Sequence, residues 1–236
     1  MNQTEFEDKH VRCFFRLVQQ GDPETVIELR ALNYSGRKNN IFSGYFDQEE
    51  PFVEAAKLAS LNGSGVYCTI NVCNPQILAR CANRAQEFAE ITTSDRDIVR
   101  RRYIPIDLDP VRPAGTSSSD EQHEAAIQRG YEVYHFIKDN QWKEEPIMVD
   151  SGNGSHLLIP YDCDNNEETK QFTIGLLNAL AQRFNDSQIK VDESVFNAAR
   201  IMRLPGTMNR KGDNLTKYPH RLCKILHVPD GLQIYI

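Results

Sequence analysis

Two aspartates one residue apart, Asp107 and Asp109, are the first side chains whose type and spacing could do chemistry. They lie in Ile106-Asp107-Leu108-Asp109-Pro110. Residues two apart on a strand project from one face, so both carboxylates come to the same side of a strand that Pro110 ends. Carboxylates this close repel each other unless a cation lies between them, and hard oxygen ligands suit Mg²⁺ or Mn²⁺. A solvated strand end before a turn is the plainer reading. A second group is Ser151-Gly152-Asn153-Gly154-Ser155-His156. Its glycines permit positive φ and close approach, its N–H groups could form an anion nest for phosphate, and His156 could donate to a phosphate oxygen. The competing reading is an ordinary hairpin turn beside a lone histidine. A third group starts at Val191-Asp192 and continues through Asn197, Arg200, Arg203, Gly206, Thr207, Asn209, Arg210 and Lys211. Asp192 follows β-branched Ile189 and Val191, which places it at a strand end as a candidate third carboxylate, and three carboxylates can hold two divalent ions. Arg200 and Arg203 share a face if that segment is helical, and a Pro205-Gly206-Thr207 turn precedes Arg210-Lys211. These cations suit a triphosphate or a nucleic-acid backbone.

Other chemistries fit less well. The run GTMNRKG (206–212) has its lysine before the second glycine, unlike a P-loop. No G-x-S-x-G stretch or Cys–His pairing supports nucleophilic catalysis. The six cysteines are scattered without a C-x-x-C pair, so buried thiols in a reducing compartment are expected rather than zinc or disulfides. The polar start MNQTEFEDKH has no apolar export region, and no run is long and apolar enough to span a bilayer, so a cytoplasmic protein with no membrane partner is expected. Lys and Arg total 27 against 33 Asp and Glu, a net charge of −6 that argues against coating nucleic acid by bulk charge. Between Ser194 and Cys223, however, Arg200, Arg203, Arg210, Lys211, Lys217 and Arg221 face only Asp213.

The elements that must position these residues follow from periodicity. At 236 residues and 40% hydrophobic, the chain can bury a proper core. No repeat or long linker divides it, so one catalytic domain is expected over 1–236, with about 1–100 mainly an N-terminal lobe and about 101–236 mainly the motif-bearing core. Thr25–Leu32 and Ile41–Phe46 alternate as an antiparallel hairpin. Phe52–Leu61 has helical spacing, Gly65–Val72 is strand-like, and Asn74-Pro75 opens a helix expected to reach Phe88. Tyr103–Leu108 is a strand, and Ser119-Asp120-Glu121 starts a helix to Lys138. Ile147–Val149 and His156–Ile159 are strands around a tight turn, Glu167–Phe184 is a helix, and Leu232–Ile236 is strand-like. Hairpins mixed with helices in this order favour an α+β fold.

In order, then, the chain carries a D-x-D, a glycine turn entering a histidine, and an aspartate after an apolar residue with trailing cations. This arrangement resembles the archaeo-eukaryotic primase (AEP) superfamily in its primase-polymerase (PrimPol) branch. Asp107 and Asp109, Gly154-Ser155-His156 and Val191-Asp192 match its three signature elements in order. The stretches IDLDPVRPAG, SGNGSHLL and VDESVFNAARIMRLPGTMNRKG look like versions in prokaryotic mobile-element primase-polymerases, and VIELRAL, FSGYFD and TTSDRDI are similar too. The resemblance implies an α+β catalytic core with an RRM-like antiparallel sheet packed on a second α/β lobe. It implies that Asp107, Asp109 and Asp192 bind two divalent ions, Mg²⁺ or Mn²⁺. His156 would hold the triphosphate of an NTP or dNTP with Arg203 and Lys211, Arg200 supporting. Relatives can have a serine two before the histidine; Gly154 here leaves that contact to backbone N–H groups, Ser151 or Ser155. The implied partners are a single-stranded DNA template and primer, with a replicative helicase in trans or in a longer parent chain. A non-catalytic replication-initiator module would have no reason to keep three like charges together, and a metal nuclease would not need the triphosphate-directed set.

Overall fold

The structure, a computed structural model, describes residues 5–62, 65–140, 142 and 144–235. Its first element is a helix, α1 (Asp8–Gln19), buried through Val11, Phe14, Phe15, Leu17 and Val18. The polar lead hides this stripe, and sequence reading assigned nothing there. Strands β1 (Ile27–Leu32) and β2 (Ile41–Phe46) form the expected antiparallel hairpin, Ile27 opposite Phe46 and Leu32 opposite Ile41. There follow α2 (Glu49–Leu61), β3 (Gly65–Thr69), β4 (Val72–Cys73), β5 (Ala85–Gln86) and the long β6 (Ile98–Pro110). The second half contributes α3 (Asp120–Asp139), β7 (Ile147–Asp150), β8 (Ser155–Asp164), α4 (Glu167–Phe184) and β9 (Ile189–Val191). The chain closes with β10 (Ile201–Arg203), β11 (Met208–Asn209), β12 (Arg221–Leu222) and β13 (Lys224–His227).

These strands form two main sheets, of order β10-β3-β1-β2-β5 and β13-β7-β8-β6-β4, with β9 also on β6 and a small β11-β12 ribbon. The fold is α+β. Each main sheet takes a short strand from the other half of the chain: β4 leaves the first half for the second sheet, and β10 returns to the first.

Strand alternation divides the core. Ile104, Ile106 and Leu108 of β6, with Leu157 and Ile159 of β8, meet Ala126 and Val133 of α3 and Leu177 and Leu180 of α4. The alternate residues Tyr103, Ile147, Val149 and Leu158 join α1, α2 and Ile27, Leu29, Val66 and Cys68 of the first sheet. By the same period of two, Asp107 and Asp109 lie on the face of β6 opposite α3 and α4. Capping fixes both helices: Ser119 and Gln122 make a reciprocal capping box on α3, and Asn166 accepts from the Thr169 N–H of α4. Among the described residues no helix is long and apolar enough to cross a membrane. The cysteines are free, Cys68, Cys73, Cys81 and Cys223 being buried.

Four expectations are corrected. Gly65–Val72 is not one strand: it breaks at Asn71, whose Oδ1 accepts from the Arg102 and Tyr103 N–H groups while its Nδ2 donates to the Ala198 carbonyl. The helix expected over Pro75–Phe88 is a single 3₁₀ segment, Pro75–Arg80. Beyond it Asn83 has φ 48°, and the Cys81 carbonyl and Asn83 N–H are taken by Tyr45 on β2. The segment leading from Arg200 to Arg203 is not helical: Ile201–Arg203 is extended as β10, because it adds to the edge of β3. At the end of the chain Asp230–Tyr235 is 3₁₀ rather than strand; Ile236 lies outside the described residues, as do residues 1–4 of the polar start.

Asn71 splices β6 to the connection between β9 and β10. Its replacement by alanine leaves two N–H groups and a carbonyl buried without partners, each costing about 1–3 kcal/mol. Asn71→Ala should therefore lose about 3 kcal/mol in urea denaturation, and a loss under about 1 kcal/mol would show that the carboxamide does not hold this junction.

Candidate active site

Strand β6 brings the first constellation together by pairing on both edges. On one side Asp107 lies opposite His156 of β8; on the other Leu108 lies opposite Val191 of β9, and the Asp192 N–H donates to the Asp107 carbonyl at 2.8 Å. Across from them, β10 carries Arg203, which lies opposite Tyr67 of β3. Between the sheets lies a cleft of about 640 Å³ lined by Asp107, Asp109, Asp192, His156, Ser151, Arg200, Arg203 and Lys211 among others. Residues from four distant stretches of sequence thus share one cavity.

The carboxylates are held differently. Asp109 lies 3.3 Å from Arg112, and Asp192 accepts from the Ser194 N–H at 2.8 Å. A quarter of the Asp107 side chain (24%) is exposed, but its Oδ1 is buried with no hydrogen-bond partner. Burial first, then the charges of Asp109 and Asp192, push its pKa up to about 8 against the pull of Lys211 and Arg200. His156 lies 3.5 Å from that carboxylate. Its pKa is lowered to about 4, mainly by burial and further by Arg203, against the opposite pull of Asp109 and Asp150. At neutral pH the imidazole is uncharged and can serve as a hydrogen-bond donor.

The glycine turn is built differently from a nest. The Gly152 N–H is taken by Asp150 and those of Asn153 and Gly154 by the Ser151 Oγ, so these donors are spent inside the turn. Gly154 serves close approach instead: a Cβ there would lie 2.2 Å from the Leu108 carbonyl oxygen. Ser155 faces away from the cleft, its Oγ donating to the Ala126 carbonyl of α3, as alternation with His156 requires. Of the expected phosphate donors, therefore, the turn backbone and Ser155 are withdrawn. Ser151 lines the cleft but uses its hydroxyl to accept from the turn.

The cations stand ready. Arg203 stacks over the Tyr67 ring at 4.3 Å and donates to its hydroxyl at 2.7 Å, leaving its other terminal nitrogen, NH1, unpartnered. Gly65 makes room for that nitrogen, which would lie 2.7 Å from a Cβ. Arg200 donates to the Ser194 carbonyl and leaves Nε unpartnered. Lys211 is exposed at the rim. Sequence reading missed Tyr67 and Arg112, which carry no motif, and treated Asn153 as turn chemistry alone. All three line the cleft.

Among the described residues no three His, Cys, Asp or Glu side chains stand together as a ready metal cage. The donor set nevertheless suits a hard divalent cation: three carboxylates converge on one cavity, and the most buried has an oxygen without a partner.

No protein-family model matches the sequence, and no curated protein matches it. Among solved structures, the chain is similar to the AEP domain of the cyanophage S-2L primase-polymerase (PrimPol), with a TM-score of 0.55 over 95% of this chain and 91% of that one, at 15% identity. It also aligns with the polymerase domain of Mycobacterium tuberculosis ligase D in complex with DNA (TM-score 0.46, 14% identity, 92% and 81% covered). A third alignment is with the primase RepB′ (0.44, 11%, 96% and 60%). The fold is that of an AEP primase-polymerase domain, as the motifs implied.

A carboxyl with a pKa near 8 holds a proton at neutral pH that a cation must displace. Mn²⁺ binding at pH 7 should release about one proton per chain, the release fading above about pH 9, and affinity should rise with pH until Asp107 is ionised. Titration calorimetry in two buffers of different ionisation enthalpy measures the proton count; a count of zero at pH 7 would place the cation away from Asp107.

Proposed function

We propose that this chain is a template-directed nucleotidyltransferase, a primase-polymerase that joins NTPs or dNTPs to a 3′-hydroxyl on a single-stranded DNA template, priming the replication of a mobile element or related system. One observation carries the reading: a single cleft brings together three carboxylates, Asp107, Asp109 and Asp192, and three cations, Arg200, Arg203 and Lys211. In-line phosphoryl transfer asks little of a protein beyond positioning and charge neutralisation, and this inventory supplies both.

Asp107, Asp109 and Asp192 would hold two Mg²⁺ or Mn²⁺ ions. Such ions, when bound, make a hydroxyl a better nucleophile and neutralise a leaving pyrophosphate. The remaining work belongs to the chain's own side chains. The free Arg203 nitrogen and the Lys211 ammonium bind phosphate oxygens, Arg203 as a planar fork already oriented by Tyr67. The neutral His156 donates to a phosphate oxygen and does not act as a general acid, because its charged form is suppressed. Tyr67 and Gly65 hold Arg203 in one rotamer, so little side-chain entropy is lost on binding.

Asp107→Asn with Asp109→Asn should reduce labelled-nucleotide incorporation on a primed single-stranded template by about a thousandfold or more, with template binding retained in a gel-shift assay. Normal synthesis by this variant would remove the carboxylates from the chemistry. Arg203→Ala or Lys211→Ala should each raise the nucleotide KM about tenfold. An unchanged KM in both would place the triphosphate elsewhere.

A further inference from the structure

Among the described residues, eight buried side-chain atoms lack a hydrogen-bond partner, and five belong to the cleft: Asp107 Oδ1, Arg200 Nε, Arg203 NH1, Asn153 Nδ2 and Asn209 Oδ1. Unpartnered buried polar atoms are rare in folded proteins and mark places where a ligand completes the bonding. The first three belong to charged groups and match the cations and phosphates of the proposed reaction. The two amides do not: they are neutral, and one is an acceptor.

Their orientations follow from their other contacts. Asn209 Nδ2 donates to the Ser151 carbonyl at 2.7 Å, which leaves Oδ1 as the free atom. Asn153 Oδ1 accepts from the Ser118 N–H at 2.8 Å and from the Ser118 hydroxyl at 3.1 Å, which leaves Nδ2 free. Both side chains are at least nine-tenths buried, Asn153 at 1% and Asn209 at 5% exposure. Both brace the same turn, since a Cβ on Gly152 would lie 2.8 Å from the Asn209 Cβ. The cleft wall therefore carries a donor and an acceptor around one turn, neither free to rotate to suit its guest.

An acceptor is the wrong group for phosphate, which at neutral pH offers lone pairs rather than protons. It requires a donor, and a hydroxyl supplies one while also accepting from an amide N–H. In a nucleotide the hydroxyls are on the sugar. Asn153 and Asn209 line the same cleft as His156, Arg203 and Lys211, the groups assigned to the triphosphate, which the sugar must follow into that cleft. We infer that Asn153 and Asn209 form a sugar subsite that hydrogen-bonds a hydroxyl of the incoming nucleotide and so sets its preference among ribose, 2′-deoxy and 3′-deoxy forms. This inference rests on the nucleotide reading of the cleft. A site built to bind a hydroxyl rejects the analogue lacking it, because the buried amides are then left unpaired.

The test is equilibrium binding of ATP, 2′-dATP and 3′-dATP to the full chain with Mn²⁺, before any mutation. Removal of one of the two hydroxyls should weaken binding about tenfold or more. In Asn209→Leu, of similar volume but without the acceptor, that ratio should fall to about one, and Asn153→Asp, which keeps the acceptor for Ser118 and loses the free donor, should also reduce it. Equal affinity of the unmodified chain for all three nucleotides overturns the sugar subsite while leaving the nucleotide reading intact. So does a ratio that both variants preserve, a change in preference between ATP and GTP instead, or a loss of Mn²⁺ affinity without nucleotide in Asn209→Leu, which would make Oδ1 a metal ligand. Failure to bind any of the three overturns the nucleotide reading and the subsite with it, and is distinguished by the absence of all binding.

Discussion

The Asp107 carboxyl is held where ionisation is disfavoured, and much of the cleft's order follows from that. Strand β6 carries it between His156 on one neighbouring strand and Asp192 on the other, with Asp109 two residues on. Burial and two like charges together keep the proton on. A fold does not need such an arrangement. An apolar residue at 107 would extend the alternating face of Tyr103 at no electrostatic cost, so the strain is a reservoir that a bound cation relieves. The neighbouring groups are consistent with a site poised for one: Asp109 is steadied by Arg112, Asp192 by a backbone N–H, and His156 is kept neutral.

Carboxylates on one sheet are of use only if the cations on the other stand at a fixed distance, and the connection from Asp192 to Arg200 sets it. It crosses from β9 in the second sheet to β10 in the first, and three side chains hold it along the way. Asn71 binds the Ala198 carbonyl, Asp95 accepts from the Ala199 N–H, and Arg101 donates to the Phe196 carbonyl. Asp95 and Arg101 bracket the start of β6, and Asn71, between β3 and β4, accepts from its Arg102 and Tyr103 N–H groups. The exchange of β4 and β10 between sheets is thus the means by which the two halves of the cleft are kept in register. Asp95 belongs to the run TTSDRDI (92–98), which secures the crossing segment without entering the cleft.

Legibility in the sequence followed the range of the forces involved. The strand positions of Asp107, Asp109 and His156 could be read because the period of two along a strand is local, and the α3 and α4 boundaries because their caps are Ser119 and Asn166. The break at Asn71 and the short 3₁₀ segment after Pro75 could not, because each is decided by a partner far away in sequence: β6 in one case, Tyr45 in the other. The same limit explains the cleft's missed residues. Tyr67 is an ordinary strand tyrosine until β10 brings Arg203 onto its ring, and Asn153 an ordinary turn residue until Ser118 fixes its amide. Expectations failed where another bond took the groups that a simple rule had assigned. The glycine turn had the composition of an anion nest, but Asp150 and Ser151 took its N–H groups first. Arg200 and Arg203 had helical spacing, but the open edge of β3 drew Ile201–Arg203 into a strand.

The charge of the whole chain, −6, says little about what this cleft can hold. Counted over its lining alone, Arg112, Arg200, Arg203, Arg210 and Lys211 oppose Asp107, Asp109 and Asp192, a surplus of two positive charges once all three carboxylates are ionised. Two divalent cations would raise that surplus to about six, and a nucleotide triphosphate, carrying about four negative charges, would leave about two for the phosphates of a nucleic-acid strand. Loaded this way, the cleft would attract nucleic acid only weakly and locally, within about a Debye length of 10 Å. For the proposed primase-polymerase, such a balance would let a template move after each addition rather than coat it.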